Sequence, residues 1–344
     1  MIVFYLCLSL IILSSLSYCR IGYYSDYIGK DQCNVIKGIF ILLIFFSHIS
    51  PYIKHAGFIG ESWLDTSFLY VTSHINQWVV ALFLFYSGFG VMQSLQNKGT
   101  VYLQGYPRKR ILTTLLNFDV AVLVFVLLNI IVGISGFYSK IPGALIAWNS
   151  IGNSNWYIFV ILVCYFCFFV SFRLTNNNLL SGMILLLLLV VVMIALSFVK
   201  EYRWYNTILC FPAGVWFSLM HGKIIKIFQR HYVMALVFAL GGFAFCCYFG
   251  LPRLSGLTYN MGCILFSLFV VLFTMKCKIR SFALCWCGMN LFPLYIYQRA
   301  PMIALKHLAG DNWVARFPFI YVIICLVVSL AITYFYRYWK ISIN

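Results

Sequence analysis

A lysine and a histidine stand eleven positions apart in an otherwise apolar stretch, DQCNVIKGIFILLIFFSHISP, residues 31–51. On a helix, eleven steps of about 100° return His48 to the face of Lys37 within roughly 20°, with about 16 Å between them along the axis. Both then look at one wall of whatever the helix packs against. Hydrocarbon tolerates neither group well. A lysine at mid-helix costs at least about 2.5 kcal/mol, so the pair calls for a polar cavity or for partners, and a shared wet pocket is expected. Anion binding by the ammonium and proton transfer by the imidazole are the chemistries open to them. Structural roles are open as well: Lys37 is close enough to the helix start to snorkel to the interface, and a histidine among helices often serves as a hydrogen-bonding link.

Other polar residues punctuate the apolar runs. Ser87 and Gly88 interrupt ALFLFYSGFG, residues 81–90, where small residues mark either a site or close helix packing. Arg108, Lys109 and Arg110 follow in GYPRKRIL, residues 105–112. They anchor a helix end, or hold phosphates, since the arginine fork matches phosphate oxygens. Asp119 lies about two turns deeper, a carboxylate inside the membrane with Lys37 or Arg110 as its expected partner in a catalytic or structural pair. An outer loop adds Glu61, Asp65 and His74. Asn153, Asn155 and Trp156 in NSNWYIF suit a sugar, with amides for hydroxyls and an indole for a ring face, and they equally suit a helix cap and an aromatic belt. Late in the chain, GMNLFPLYIYQRAPM, residues 288–302, carries Tyr297, Gln298 and Arg299, with Pro293 loosening the backbone beside them.

The elements that must position these groups are membrane helices. Hydrophobic residues make up 63% of the chain and charged ones 9%, far from the quarter usual in soluble domains. The expected fold is all-α, a polytopic bundle of 10–11 transmembrane helices. The apolar runs are 2–17, 34–53, 77–96, 111–135, 156–173, 179–199, 206–220, 232–250, 258–275, 282–303 and 317–336. Most approach the ~20 residues that span a bilayer, while 206–220 is short enough to be tilted or re-entrant. Placing the N-terminus outside puts sixteen of the 24 Lys and Arg on the cytoplasmic side, as short-loop topology requires, and leaves the C-terminus inside. The net charge of +17 therefore reads as topology and attraction to anionic lipid, with no basic domain to hold nucleic acid. The thirteen cysteines are scattered through the apolar runs and their edges and read as small core hydrophobes. No metal-ligand constellation stands out. Residues 1–19 form an N-terminal transmembrane anchor, and 30–338 form the main membrane domain.

In this order, Lys37 with ten residues to His48, FLFYSGF at 83–89, a basic stretch before Ile111, NWYI at 155–158 and NLFPLYIYQRAP at 290–301, the chain resembles the acyltransferase-3 family of integral membrane O-acyltransferases. In that family the first position is usually arginine, where this chain has Lys37, and the late motif often ends in histidine, where it has Gln298. The resemblance implies transfer of an acyl group, usually acetyl, from cytoplasmic acyl-CoA to a hydroxyl of a surface glycan or lipid-linked sugar. It implies Lys37, Arg108 and Arg110 on the CoA phosphates, His48 as general base with Lys37 and Asp119 beside it, and Ser87, Asn155, Trp156, Tyr297 and Gln298 toward the acceptor. The setting is a multi-pass protein of a bacterial inner membrane. Two other readings use the same buried charges. A transporter or flippase would line a substrate path with them, and a polysaccharide polymerase would add a larger outer loop than any present here.

Overall fold

Backbone crossing hydrocarbon must satisfy its own N–H and C=O groups, and leucine-, valine- and phenylalanine-rich runs do so as helices. The computed structural model describes residues 1–58, 60, 62–74, 77–250 and 256–343. Glu61 and Arg253 lie outside the described residues, as does the side chain of His74. In chain order the helices are α1 (Val3–Ser14), α2 (Lys30–His55), α3 (Trp63–His74), α4 (Trp78–Lys98), α5 (Thr100–Tyr106), α6 (Thr113–Ile131), α7 (Ile141–Leu145), α8 (Trp156–Leu174) and α9 (Asn178–Val199). There follow α10 (Cys210–Leu219), α11 (His221–Arg230), α12 (Tyr232–Gly250), α13 (Gly256–Lys276), α14 (Phe282–Met289), α15 (Leu291–Tyr297), α16 (Arg299–Ala309), α17 (Asp311–Arg316) and α18 (Pro318–Phe335).

Among the described residues seven helices are long and apolar enough to cross a membrane: α2, α4, the continuous Thr100–Ile131, α8, α9, α13 and α18 with its last turn. The protein is thus an all-α polytopic membrane protein. Four of the eleven apolar runs take other forms. The run 206–220 yields the ten-residue α10. The run 232–250 is α12, joined to the basic amphipathic α11 at a bend of 102°. The run 282–303 divides into α14, α15 and α16, changing helix at Asn290 and again at Gln298. The first run gives the twelve-residue α1 and then a strand, β1 (Leu16–Tyr18), antiparallel to β2 (Cys277–Ile279) with Ser17 opposite Lys278. Lys278 also pairs with Asp26. At its other end α1 is tied by the Met1 ammonium, 2.8 Å from Asp65 Oδ1, and by the Tyr5 hydroxyl, 2.7 Å from Thr72 Oγ1.

Two helix crossings hold the centre, and both depend on glycine. A Cβ on Gly38 of α2 would stand 1.8 Å from the Leu284 carbonyl oxygen of α14, and one on Gly288 would stand 1.8 Å from that of Asn34. At the α4–α10 crossing, a Cβ on Gly88 or on Gly214 would likewise stand 2.0 Å from the carbonyl oxygen of Phe211 or of Phe85. Lipid is as apolar as leucine, so such close backbone contact supplies packing that a hydrophobic interface alone does not. Gly88 is therefore a packing residue. Around these crossings Phe83, Phe85, Phe118, Phe168 and Phe211 are fully buried, while Leu187, Val237 and Val327 remain exposed on the faces of α9, α12 and α18.

Candidate active site

The α2–α14 contact fixes what Lys37 looks at. With α14 pressed against Gly38, the Lys37 side chain lines a cavity of about 520 Å³ whose wall also includes Asn34, Asn290 and Leu291. Three more cations line it, Arg110, Arg337 and Lys340, and no carboxylate does among the described residues. None of the four forms an ion pair among the described residues. The Lys37 ammonium lies 5.9 Å from the centre of the Tyr86 ring. Arg110 reaches the cavity from Pro107–Leu112, one turn of π-helix between α5 and α6. Pro107 has no N–H to give the preceding turn, and π-helical turns of this kind are frequent at functional sites. The Arg108 carbonyl accepts both the Thr113 N–H and Thr113 Oγ1, the latter at 2.9 Å, and Thr114 Oγ1 donates to the Arg110 carbonyl at 2.6 Å. Arg108 and Lys109 are exposed and do not line the cavity.

Lys37 and His48 share a helix face but not a pocket, contrary to the expectation from their spacing. The cavity ends on Tyr157 of α8 and Tyr295 of α15, whose rings meet at 5.3 Å and 66°. His48 lies behind this partition, 6.0 Å from the Tyr295 ring, and lines a second hollow of about 280 Å³ with Ser47, Gln77, Trp156 and Arg203. The reason is that rings from two other helices fill the 16 Å between the pair. Gln298 holds His48 from the far side. Its Nε2 lies 3.0 Å from His48 Nδ1 and also donates to the Tyr295 carbonyl at 3.2 Å. A carbonyl only accepts, so this second bond orients the amide. Nδ1 is then an acceptor, and the proton of the neutral ring sits on Nε2.

A third hollow, about 360 Å³, adjoins the second through Trp156 and Arg203. Trp148, Asn155, Lys200, Glu201 and Trp204 complete much of its wall. Asn155 Nδ2 donates to the Ala147 carbonyl at 2.9 Å. The Lys200 ammonium sits between two indoles, 3.8 Å from Trp148 and 4.3 Å from Trp204, so the hollow has both cation and ring faces. Arg203 pairs with Glu201.

The structure brings Asn155 and Trp156 together on the His48 side and sets Ser87 in the other cavity, beyond the tyrosines. Tyr297 lines none of these hollows; it is buried against Tyr336 and Trp339. Asp119 lines none either. Its Oδ1 is buried with no hydrogen-bond partner among the described residues, and neither Lys37 nor Arg110 pairs with it. Asn34, Asn117, Arg337 and Lys340 were not singled out in the sequence. The two cations there read as ordinary basic anchors at the end of a span.

A polytopic helical protein with a cation-lined cavity at one end, and an imidazole behind it facing further polar hollows, is an integral membrane protein with a built intramembrane site. The family described as "Acyltransferase domain" matches residues 31–338, nearly the whole chain, and the protein belongs to this acyltransferase-3 family: it is a membrane acyltransferase. No curated protein and no solved structure was found to match it.

Proposed function

We propose that the protein moves an acyl group, acetyl in the first instance, from acyl-CoA held in the basic cavity to a hydroxyl of a surface polysaccharide or lipid-linked sugar on the His48 side. The observation that carries this is the charge of the cavity: among the described residues four cations and no carboxylate line about 520 Å³, a size typical of small-molecule sites and a charge complementary to a polyphosphate. Lys37 and Arg110 take phosphate oxygens. The thioester arm points toward Tyr157 and Tyr295, which part to let it reach His48. On the other side, Trp156 and Trp148 offer ring faces and Asn155 an amide to a sugar.

In the transfer, the sugar hydroxyl oxygen bonds to the thioester carbonyl carbon and the carbon–sulfur bond breaks. His48 takes the hydroxyl proton and returns it to the departing thiolate, so the imidazole ends as it began. This requires Nε2 to be free. Proton exchange with solvent moves the ring proton from Nε2 to Nδ1, and a turn of the Gln298 amide then presents its oxygen to Nδ1–H and leaves Nε2 as the base, at the loss of the bond to the Tyr295 carbonyl, about 0.5–1.5 kcal/mol. Met1 is tied to Asp65 at the end away from the basic cavity. With the cavity open to the cytoplasm, the N-terminus lies outside and the C-terminus inside a bacterial inner membrane.

The test is the mass of the surface polysaccharide from cells with and without the protein. Loss of acyl increments from the repeating unit when the protein is removed is the expected result. A polysaccharide of unchanged acylation but reduced amount would favour transport or polymerisation instead.

A further inference from the structure

The chain beyond α18 does more than end a span. After a 3₁₀ turn at Tyr336–Tyr338 it crosses to α6, where the buried side chain of Asn117 grips the backbone of a single residue on both sides. Asn117 Oδ1 accepts from the Ile341 N–H at 3.0 Å, and Asn117 Nδ2 donates to the Ile341 carbonyl at 2.9 Å. The rest of the amide is also used: Oδ1 accepts from the Tyr336 hydroxyl at 2.7 Å, and Nδ2 donates to the Thr113 carbonyl at 2.8 Å. An asparagine with every donor and acceptor engaged, two of them on one residue of a distant segment, is a clamp. Tyr336 and Trp339 pack on Tyr297, in the helix that carries the Tyr295 partition.

The clamp has a consequence for charge. It places Arg337 and Lys340, both exposed, on the rim of the basic cavity, across from Lys37 and Arg110. Arg337 is held by the hydroxyls of Tyr334 and Tyr338 at 3.1 and 2.9 Å. The Lys340 ammonium forms no ion pair among the described residues.

We infer that the segment Tyr336–Ile341 is a strap that brings Lys340 onto a phosphate of the acyl donor, with Asn117 as the residue that positions it. The inference rests on the reading of the cavity as an acyl-CoA site and specifies which part of the donor is recognised there: the phosphate-bearing end, not the pantetheine arm. Lys340 contributes to affinity for donors that carry phosphates and contributes nothing to donors that lack them.

The experiment titrates purified wild-type protein, Lys340→Gln and Asn117→Leu with CoA and separately with pantetheine, reading binding by calorimetry. Wild type is expected to bind CoA more tightly than pantetheine. Lys340→Gln is expected to weaken CoA binding about 3- to 10-fold, the range for a partly screened charge-assisted contact, and to leave pantetheine unchanged. Asn117→Leu is expected to show the same selective loss, and the double variant no further loss, because a released strap no longer presents Lys340. Lys340 is exposed and tolerates substitution, so its result stands even if Asn117→Leu folds poorly. Wild-type protein that binds no CoA would overturn the donor reading and the strap with it. Wild-type binding that Lys340→Gln leaves unchanged, or that falls equally for both ligands, would overturn the strap alone.

Discussion

Replacing His48 by alanine is expected to lower acyl transfer at saturating donor by about 10²- to 10⁴-fold, the contribution usual for a positioned general base, while CoA binding stays at the wild-type level. The two effects separate because His48 is not part of the donor cavity: Tyr157 and Tyr295 stand between them. Incorporation of label from acetyl-CoA into the glycan fraction of membranes reads the first effect, and calorimetric titration with CoA reads the second. Gln298 supplies an internal control. In the resting arrangement its amide donates to Nδ1, which leaves the ring proton on Nε2. A carboxylate at this position can only accept, so Gln298→Glu holds Nδ1–H and frees Nε2; it is expected to keep or raise the rate. Gln298→Leu removes the partner altogether and is expected to lower it. Equal loss in both variants would mean that Gln298 fills space and has no part in setting the tautomer.

The second large effect falls on donor affinity. Lys37→Ala is expected to raise the donor concentration needed for half-maximal transfer by about tenfold or more, since a hydrogen bond to a charged group contributes about 1.5–3 kcal/mol and 1.4 kcal/mol is a factor of ten. The rate at saturating donor is expected to change far less. Lys37 is suited to this role because it forms no ion pair among the described residues and has the Tyr86 ring 5.9 Å away, so its charge is available to a ligand. Lys37→Arg is expected to restore affinity, the guanidinium offering the same charge with a wider fork. A donor titration of transfer rate for the three proteins measures this. A Lys37→Ala variant with ordinary affinity and a lost rate would move Lys37 from donor binding to the chemical step.

How far the site could be read from the sequence depended on which groups lie along one helix. The eleven-residue spacing was enough to put Lys37 and His48 on one face of α2, because that is a property of the helix alone. Their separation into two hollows was not legible, since Tyr157 and Tyr295 come from α8 and α15 and only tertiary packing sets them between. For the same reason Ser87 grouped in the sequence with Asn155 and Trp156, and the structure places it on the opposite side of the partition.

Charge was read correctly as sign and incompletely as place. With the N-terminus placed outside, Arg337 and Lys340 count among the inside cations, but their place on the cavity that Arg110 lines depends on the Asn117 clamp, and an asparagine within an apolar helix carries no such signal. Asp119, the carboxylate most conspicuous in the sequence, faces neither the cavity nor the outer hollows. Hydropathy sums composition and ignores breaks, so it does not show where an apolar run changes helix. The run 282–303 is apolar throughout, yet it changes helix at Asn290 and at Gln298, and the second break is what lets Gln298 reach His48.

The most direct test of donor on one side and acceptor on the other uses sealed membrane vesicles with the basic end facing the medium, labelled acetyl-CoA outside and acceptor glycan enclosed. The expected result is label in the enclosed glycan, protected from an esterase added to the medium, and absent with His48→Ala. Label appearing only when acetyl-CoA and acceptor are supplied on the same face would contradict transfer past the Tyr157–Tyr295 partition.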